Sequence, residues 1–153
     1  MAFYQFRREQ MIDEPIDAVW DFISSPKNLK EITPDYMGFD ITTPDLPEKM
    51  YPGMIISYKV SPMLGIKMTW VTEITQVEDK KYFIDEQRIG PYKLWHHQHM
   101  LEETPQGVKM TDIVSYSPPF GILGAIANAL FIKGKLNEIF DYRTLAVNRY
   151  FGK

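Results

Sequence analysis

The sequence predicts an α+β domain in which a seven-stranded antiparallel sheet curves around a long C-terminal helix, with two short helices after the first strand. Between Tyr36 and Tyr116, short runs alternate apolar and polar side chains, which is typical of strands. After Pro118, apolar residues recur at spacings of three and four, which predicts one helix of about 30 residues. No Gly/Ser-rich linker or internal repeat divides the chain, so we expect residues 1–153 to form a single domain.

Local signals set the bounds of the predicted elements. Residues 3–12 are rich in aromatic and β-forming side chains and predict the first strand. Pro15 begins a short helix, and Pro26, after a serine cap, begins a second helix that ends before Pro34. The connections between the later strands are short, so neighbouring strands must pair antiparallel. The six further strands are predicted at 37–42, 54–61, 66–77, 82–89, 92–102 and 108–117.

Strand parity predicts which side chains face the interior, because alternate residues lie on opposite faces and charged ones mark the solvent side. The residues expected to face inward are Met54, Ile56, Tyr58, Val60, Ile66, Met68, Trp70, Thr72, Ile74, Phe83, Asp85, Gln87, Ile89, Trp95, His97, His99, Leu101, Val108, Met110, Asp112, Val114 and Tyr116. Polar groups therefore lie among the tryptophans. Since burying an unpaired polar group costs several kcal/mol, this face predicts a satisfied hydrogen-bond network, a wet cavity, or both.

The C-terminal helix carries one charged residue on its apolar side. Its predicted buried stripe comprises Ile122, Ala125, Ala129, Ile132, Leu136, Ile139, Phe140, Arg143, Ala146 and Tyr150. A buried guanidinium needs a carboxylate partner. We therefore expect Arg143 to pair with Asp85 or Asp112 across the interior.

Several short strings carry a resemblance to a known superfamily. They are Pro15-x-x-x-Val19-Trp20, Trp70-x-Thr72-x-Ile74, Phe83-x-Asp85-x-Gln87, Gly90-Pro91-Tyr92, Trp95-x-His97-x-His99, Pro119-Phe120-Gly121, Leu123-Gly124 and Ile139-Phe140-x-Tyr142-Arg143. In this order they span nearly the whole chain. The sequence resembles the START/SRPBCC helix-grip superfamily, which includes polyketide cyclase/dehydrase-like proteins, and within it the small bacterial ligand-binding SRPBCC proteins.

The resemblance implies a cavity between the sheet and the helix. Members of the superfamily bind sterols, lipids, plant hormones, quinones or polyketides there, and some cyclise or dehydrate their ligand. We therefore expect a small hydrophobic molecule, such as a lipid, a quinone or a polyketide-like aromatic, and no cofactor. The mouth is expected near residues 62–65 and 90–91, with Met63, Leu64 and Gly65 as a gate. The residues expected to contact the ligand are Tyr58, Met68, Trp70, Thr72, Asp85, Gln87, Trp95, His97, His99, Asp112, Tyr116 and Phe120. The aromatic residues among these are also expected to belong to the core.

The two inward histidines allow three interpretations. His97 and His99 are two residues apart on one strand, so their Cα atoms are separated by roughly 6.6–7 Å. With Asp85 or Asp112 they form either a structural hydrogen-bond network, a His₂-carboxylate metal site, or the acid–base pair of a cyclase or dehydratase. No zinc-binding spacing occurs, so no metal is expected. We favour binding over catalysis because no nucleophile, phosphate loop or cofactor fingerprint accompanies these residues.

Composition narrows the class of partner. The formal net charge of −3 argues against a nucleic-acid surface, which normally shows a basic stripe. The longest apolar run, residues 120–132, is shorter than the roughly 20 residues that a membrane span needs. The absence of cysteine fits a reducing compartment, so we expect a cytoplasmic protein. A regulatory interaction module is a further alternative if Tyr92, Leu94 and Met100 form an outer apolar patch, and the same residues could bury a homodimer contact.

Overall fold

The computed structural model describes residues 2–61 and 65–153, and over these residues the chain forms one antiparallel sheet of seven strands. The spatial order is β1-β7-β6-β5-β4-β3-β2, so the first strand pairs with the last. The strands are β1 Tyr4–Ile12, β2 Asp40–Ile41, β3 Met54–Val60, β4 Met68–Glu78, β5 Tyr82–Ile89, β6 Leu94–Thr104 and β7 Gly107–Ser117. From β2 to β7 each strand pairs with the next one in sequence, as short connections require.

The helices lie between β1 and β2 and after β7. Helix α1 covers Ile16–Ile23, and 3₁₀ turns follow at Pro26–Leu29 and Asp35–Met37. The second predicted helix is therefore a single 3₁₀ turn. After β7, helix α2 (Gly121–Ala127), a π-helical segment (Asn128–Ile132) and helix α3 (Lys133–Tyr150) follow one another without a break, which confirms the long C-terminal helix. Within the described ranges, none of these helices combines the length and apolarity that crossing a bilayer demands.

The sheet bends where β4 and β5 fall out of register. Irregularities occur between Val71 and Thr72 and between Ile74 and Gln76 of β4. Such bulges bend a strand and increase its local twist, so they help the sheet to curve.

The main core lies between the inner face of the sheet, helix α1 and the end of helix α3. Val19, Phe22, Phe83, Val108 and Val147 are almost completely buried there. Each such side chain contributes about 1.5–3 kcal/mol of hydrophobic stabilisation. Two smaller clusters lie at the other end of the sheet, around Val114 and Leu136 and around Val60 and Trp70. The space between these smaller clusters is the position of the site described below.

Most inward-facing predictions for the strands are confirmed, and two are wrong. Ile66 precedes β4 and is exposed, because it lies outside the pleated part of the chain. Ile89 is 58% exposed. The bulge in β4 explains this exposure. Thr72, which faces inward, pairs with Gln87, whereas the residue before it, Val71, faces outward and pairs with Ile89. Paired residues lie on the same face of a sheet, so Ile89 also faces outward.

The buried row of the C-terminal helix recurs every four residues, at Gly124, Asn128, Ile132, Leu136 and Phe140. A regular α-helix has 3.6 residues per turn, so a row with a spacing of four would drift around its surface. The wider turn of the π-helical segment compensates for part of that drift.

The predicted stripe is correct in the middle of this helix and wrong at its start and at its last residue. Arg143 and Ala146 are buried as expected, whereas Ile122 is 81% exposed and Ala129 and Tyr150 also face solvent. The spacing of the stripe assumed a uniform α-helix, and the π-helical segment changes which side faces the sheet. A group of apolar side chains therefore remains exposed here, namely Phe120, Ile122, Leu123, Ile126, Leu130 and Phe131.

Candidate functional site

A pocket of about 170 Å³ lies between the inner face of β3–β6 and helix α3. The segment that contains the two 3₁₀ turns closes one side. The lining residues are Leu29, Ile32, Thr33, Met37, Phe39, Tyr58, Val60, Trp70, Asp85, Tyr92, Trp95, His97, His99, Ile132, Lys135, Leu136, Ile139, Phe140 and Arg143. Most of these side chains are apolar or aromatic, the charged ones come from β5 and α3, and β6 adds two histidines.

Four aromatic side chains form a continuous wall of this pocket. Tyr58 and Trp70 are paired across β3 and β4, and their rings stack with centroids 6.3 Å apart. Trp95 meets Trp70 edge-to-face at 5.3 Å, and Tyr92 packs on Trp95 at 4.9 Å. Offset and edge-to-face pairs of this kind stabilise beyond simple area burial. The hydroxyl of Tyr58 is hydrogen-bonded to Thr72 (3.2 Å), and burial raises the pKa of this phenol.

A buried polar cluster lies beside this wall. We define it by five residues, Asp85, His97, His99, Asp112 and Arg143. Strand register brings the first four together, because Asp85 pairs with His97 across β5 and β6, and His99 pairs with Asp112 across β6 and β7. The two imidazole rings stack with centroids 3.7 Å apart. Helix α3 supplies Arg143 from the opposite side.

Two carboxylate–imidazole pairs hold the cluster together. His97 Nε2 lies 2.8 Å from Asp112 Oδ1, and His99 Nε2 lies 2.5 Å from Asp85 Oδ2. Arg143 Nη2 lies 3.2 Å from His99 Nδ1. A guanidinium can only donate, so His99 Nδ1 is the acceptor in this contact. The same nitrogen also lies 3.3 Å from Asp112 Oδ1, so Arg143 and Asp112 compete for it.

The electrostatics favour charged carboxylates and a neutral His97. Burial opposes ionisation of Asp112, but the Arg143 charge and the hydrogen bond from His97 hold the pKa of Asp112 well below its usual value. Burial also opposes ionisation of Asp85, but the hydrogen bond from His99 and the positive charge of Arg143 help to lower its pKa. Burial lowers the pKa of His97 to about 4, despite its hydrogen bond to Asp112.

The expected pairing of Arg143 is confirmed for Asp112. Arg143 Nη2 lies 3.6 Å from Asp112 Oδ1 in addition to its contact with His99, and both residues are buried. Among the residues that the structure describes, however, Arg143 Nε has no hydrogen-bond partner. The guanidinium is therefore only partly satisfied by the protein.

The structure brings six of the predicted contact residues to the pocket, namely Tyr58, Trp70, Asp85, Trp95, His97 and His99. Asp112 and Tyr116 do not line the pocket. Asp112 lies behind His97, to which it is hydrogen-bonded, and the hydroxyl of Tyr116 donates to Asn128 (2.5 Å). Met68 is half-buried and Thr72 is buried, and neither lines the pocket.

Gln87 has a structural contact rather than a place in the pocket wall. Its amide accepts from the backbone N–H of Tyr92 (3.0 Å) and donates to the Tyr92 carbonyl (2.7 Å). It also packs against Gly90, where a Cβ would collide with the Gln87 side chain. Gln87 therefore fixes the turn between β5 and β6.

Phe120 is not a core residue, and that expectation is wrong. Its side chain is 78% exposed, and its backbone adopts a left-handed conformation (φ 69°) immediately before helix α2. This conformation turns the chain into the helix and leaves the ring on the outer side. Gly65 is exposed, and the other proposed gate residues, Met63 and Leu64, lie outside the described residues.

Tyr92 corrects the predicted outer patch. It lines the pocket, because it precedes β6 and Gln87 holds its backbone, so strand parity does not apply. Leu94 and Met100 are exposed as expected. The segment from Leu29 to Phe39 also lines the pocket and was not predicted to do so, although its apolar content is a signal that it faces a core. Ile139, which was predicted only as part of the buried helical stripe, lines the pocket as well.

Asp85, His97 and His99 are close enough to bind a metal ion, but the positive charge of Arg143 opposes one. Potential ligand atoms of Asp85, His97 and His99 lie within 4.8 Å of one another. Arg143 contacts one of these imidazoles, so a fixed positive charge already lies beside the group. A divalent cation would have to displace the hydrogen bonds described above and tolerate that repulsion. The arrangement favours hydrogen bonding over metal coordination.

Comparisons with known proteins find structures of similar fold. No family model matches the chain, and no curated protein matches it. An uncharacterised protein from Rhizobium leguminosarum is 16% identical, with coverage of 97% of this chain and 96% of that one and a TM-score of 0.65. A protein from Arthrobacter aurescens is 14% identical, with coverage of 95% and 86% and a TM-score of 0.71. The protein Ara h 8.0201 is 15% identical, with coverage of 95% and 98% and a TM-score of 0.58.

Identities this low show the fold alone. They agree with the order of strands and helices, and the membership of a particular SRPBCC subfamily stays a prediction. Over its described residues, the chain has a helix-grip fold, in which a seven-stranded antiparallel sheet packs against a long C-terminal helix.

Proposed function

We propose that this protein binds a small, mainly apolar molecule in the pocket between the sheet and helix α3. The observation that carries the proposal is an open space of about 170 Å³ beside an aromatic wall. Protein interiors are close-packed, and most voids are smaller than a water molecule. An opening of this size, lined by Trp70 and Trp95, therefore exceeds an ordinary packing void and offers an apolar surface to a ligand.

The volume limits the size of the ligand. A dry cavity of about 150 Å³ is enough for a benzene-sized molecule, whereas pockets for drug-sized ligands measure about 300–1,000 Å³. A single aromatic ring, alone or as part of a quinone or polyketide-like compound, fits this range better than a sterol or a phospholipid. Among the ligands of the superfamily that the sequence resembles, we therefore favour the ring compounds.

Toluene is a suitable probe for this proposal, because it is ring-sized and has no polar group. Its binding can be followed in ¹H–¹⁵N spectra through the indole signals of Trp70 and Trp95. The variant Leu136→Phe adds volume inside the pocket, and Leu145→Phe makes the same change on the exposed side of helix α3. We expect toluene to shift both signals in the parent protein and in Leu145→Phe, and to bind Leu136→Phe at least tenfold more weakly.

Two results would reject the proposal. One is that toluene does not bind the parent protein, and the other is that it binds Leu136→Phe as tightly as Leu145→Phe. Overpacking costs typically 1–3 kcal/mol, so the melting temperature of each variant must be recorded. If Leu136→Phe does not fold, Ile139→Phe is a second filling variant at a less buried position of the same pocket.

A second function, proton transfer to a bound ligand, is favoured by the position of His97. This imidazole lines the pocket and, with a pKa of about 4, is neutral at pH 7. Its Nε2 donates to Asp112, which leaves Nδ1 as the basic nitrogen. This nitrogen would take a proton from the carbon next to a ligand carbonyl, forming an enolate, which is the step that cyclases and dehydratases require. A pKa this low makes it a weak base, so binding remains the first proposal.

Deuterium exchange tests this second function. The methyl protons of acetophenone exchange in D₂O through its enolate, and loss of their NMR signal measures the rate. We expect the parent protein to accelerate exchange and His97→Gln to abolish the acceleration. The control is His96→Gln, on the outer face of the same strand. Equal rates with the parent protein and with His97→Gln would reject catalysis and leave the binding proposal unaffected.

A further inference from the structure

Two of the side chains that line the pocket each carry a buried N–H group with no hydrogen-bond partner among the described residues. These groups are Nε of Arg143, which is 8% exposed, and Nε1 of Trp70, which is 6% exposed. One comes from helix α3 and the other from β4, so the two donors belong to opposite walls. Both donate only, since neither nitrogen has an available lone pair.

Unpaired donors of this kind are uncommon in folded proteins. About 90% or more of buried polar groups have a partner, and leaving one unpaired destabilises the fold, more so for a charged group. The rest of the guanidinium is engaged, because Nη2 of Arg143 contacts His99 and Asp112. A ligand that offers acceptors to Nε and Nε1 would recover this cost, whereas a purely apolar ligand would not.

The charge of the surroundings decides which acceptors fit. The polar cluster holds two carboxylates, Asp85 and Asp112, against one guanidinium, Arg143. His97 is neutral at pH 7, because burial lowers its pKa to about 4, so it adds no positive charge. Asp85 itself lines the pocket and its pKa is lowered, so its carboxylate repels an anion placed beside it. At the pocket's edge, Lys135 is already within 3.3 Å of Glu138, so it does not reverse this balance.

We infer that the ligand is a neutral, ring-sized molecule whose carbonyl-type oxygen atoms accept hydrogen bonds from Arg143 Nε and Trp70 Nε1, as an aryl ketone would. The inference rests on the proposed binding function and adds the chemistry of recognition to it. The aromatic wall contacts the ring, and the two donors select for oxygen. Carboxylates of the same size are excluded by the charge of Asp85 and Asp112.

Three probes of nearly equal size separate these contributions. Acetophenone is neutral and has a carbonyl group, ethylbenzene lacks the oxygen, and benzoate carries a negative charge. We expect acetophenone to bind at least tenfold more tightly than either of the others, since a hydrogen bond to a buried donor contributes on the order of 1.4 kcal/mol. The chain has three tryptophans, so the ¹H–¹⁵N spectrum contains three indole signals, and Trp70→Phe assigns the one that should respond.

Variants test the donors individually. Trp70→Phe keeps a ring and removes Nε1, and Arg143→Lys keeps the charge and removes Nε. Each should weaken acetophenone binding several-fold more than it weakens ethylbenzene binding, because ethylbenzene has no oxygen that could accept from the lost donor. Trp20→Phe is the matched control, because Trp20 is buried outside the pocket and should leave both affinities unchanged.

The outcomes distinguish this inference from the proposed function. If acetophenone and ethylbenzene bind equally, the donors do not select the ligand, and the inference fails while binding stands. If benzoate binds more tightly than acetophenone, the requirement for a neutral ligand is wrong. If none of the three probes binds, the proposed function itself is rejected, and the inference with it.

Discussion

Replacing His97 with glutamine should change how strongly acid destabilises the fold. In the native protein the pKa of His97 is about 4, against 6.5 for an unperturbed histidine. The unfolded chain therefore binds a proton on this residue between pH 6.5 and pH 4, and the folded chain does not. Stability rises with pH over this window and is lost as the pH falls through it. Glutamine does not titrate, so the variant should lack this loss.

The shift gives the expected magnitude. One pKa unit corresponds to about 1.4 kcal/mol, so the titration of His97 should cost about 3 kcal/mol of unfolding free energy between pH 7 and pH 4. Asp85 and Asp112 behave differently. Their folded-state pKa values are lowered, so their contribution is present above the unfolded value and is lost only as the pH falls through the folded values. The interval from pH 4.5 to pH 6.5 therefore isolates the histidine.

Urea unfolding at half-unit pH steps measures the effect. The parent protein should lose stability with a slope approaching 1.4 kcal/mol per pH unit in excess of His97→Gln. His96→Gln is the control, because His96 is 31% exposed on the outer face beside Glu86, and its curve should parallel that of the parent. If the curves of His97→Gln and the parent protein are parallel between pH 4.5 and pH 6.5, His97 is not held neutral by burial and the reasoning is wrong.

The remaining predictions concern stability and can be measured by urea or thermal unfolding at pH 7. Arg143→Met leaves buried carboxylates without their cation and should cost about 3–5 kcal/mol; a loss under 1 kcal/mol would mean that the guanidinium is not their partner. Tyr116→Phe leaves the buried amide oxygen of Asn128 without its donor and should cost about 1–3 kcal/mol of unfolding free energy. A change near zero would mean that water replaces the hydroxyl as the donor. Gly107→Ala should destabilise the fold by about 1–3 kcal/mol, because a φ of 123° is a conformation that side chains rarely adopt and because a Cβ would collide with the backbone at the end of β1. Gly134→Ala, in an open helical position, should stabilise the fold by up to about 1 kcal/mol. If both glycine variants change the unfolding free energy in the same direction, the backbone and space at these two positions do not control stability.

The sequence was sufficient to predict the architecture and the polar cluster. Alternation along β6 placed His97 and His99 on the inner face, and the helical stripe placed Arg143 opposite them. Period two is a local property of a regular strand, so it can be read from the chain without coordinates. The pairing of Arg143 with Asp112 followed from the cost of burying an unpaired charge.

The parts that could not be predicted depend on departures from regular geometry. A bulge reversed the orientation of Ile89, a side-chain clamp from Gln87 placed Tyr92 in the pocket wall, and a left-handed backbone put Phe120 in solvent. None of these has a periodic signal. The size of the pocket has no sequence signal either, because it is the small space left after many side chains have packed.

The π-helical segment limits how many residues the C-terminal helix can gain or lose. It acts as one residue added to a regular turn, and one residue corresponds to about 100° of rotation around an α-helix. If Ala129 were deleted, the helix could become uniform only by giving up one of its two attachments. Either Asn128 would leave the Tyr116 hydroxyl, or Arg143 would swing away from the strands. Insertions and deletions between these two anchor points should therefore be far less tolerated than substitutions at the same positions.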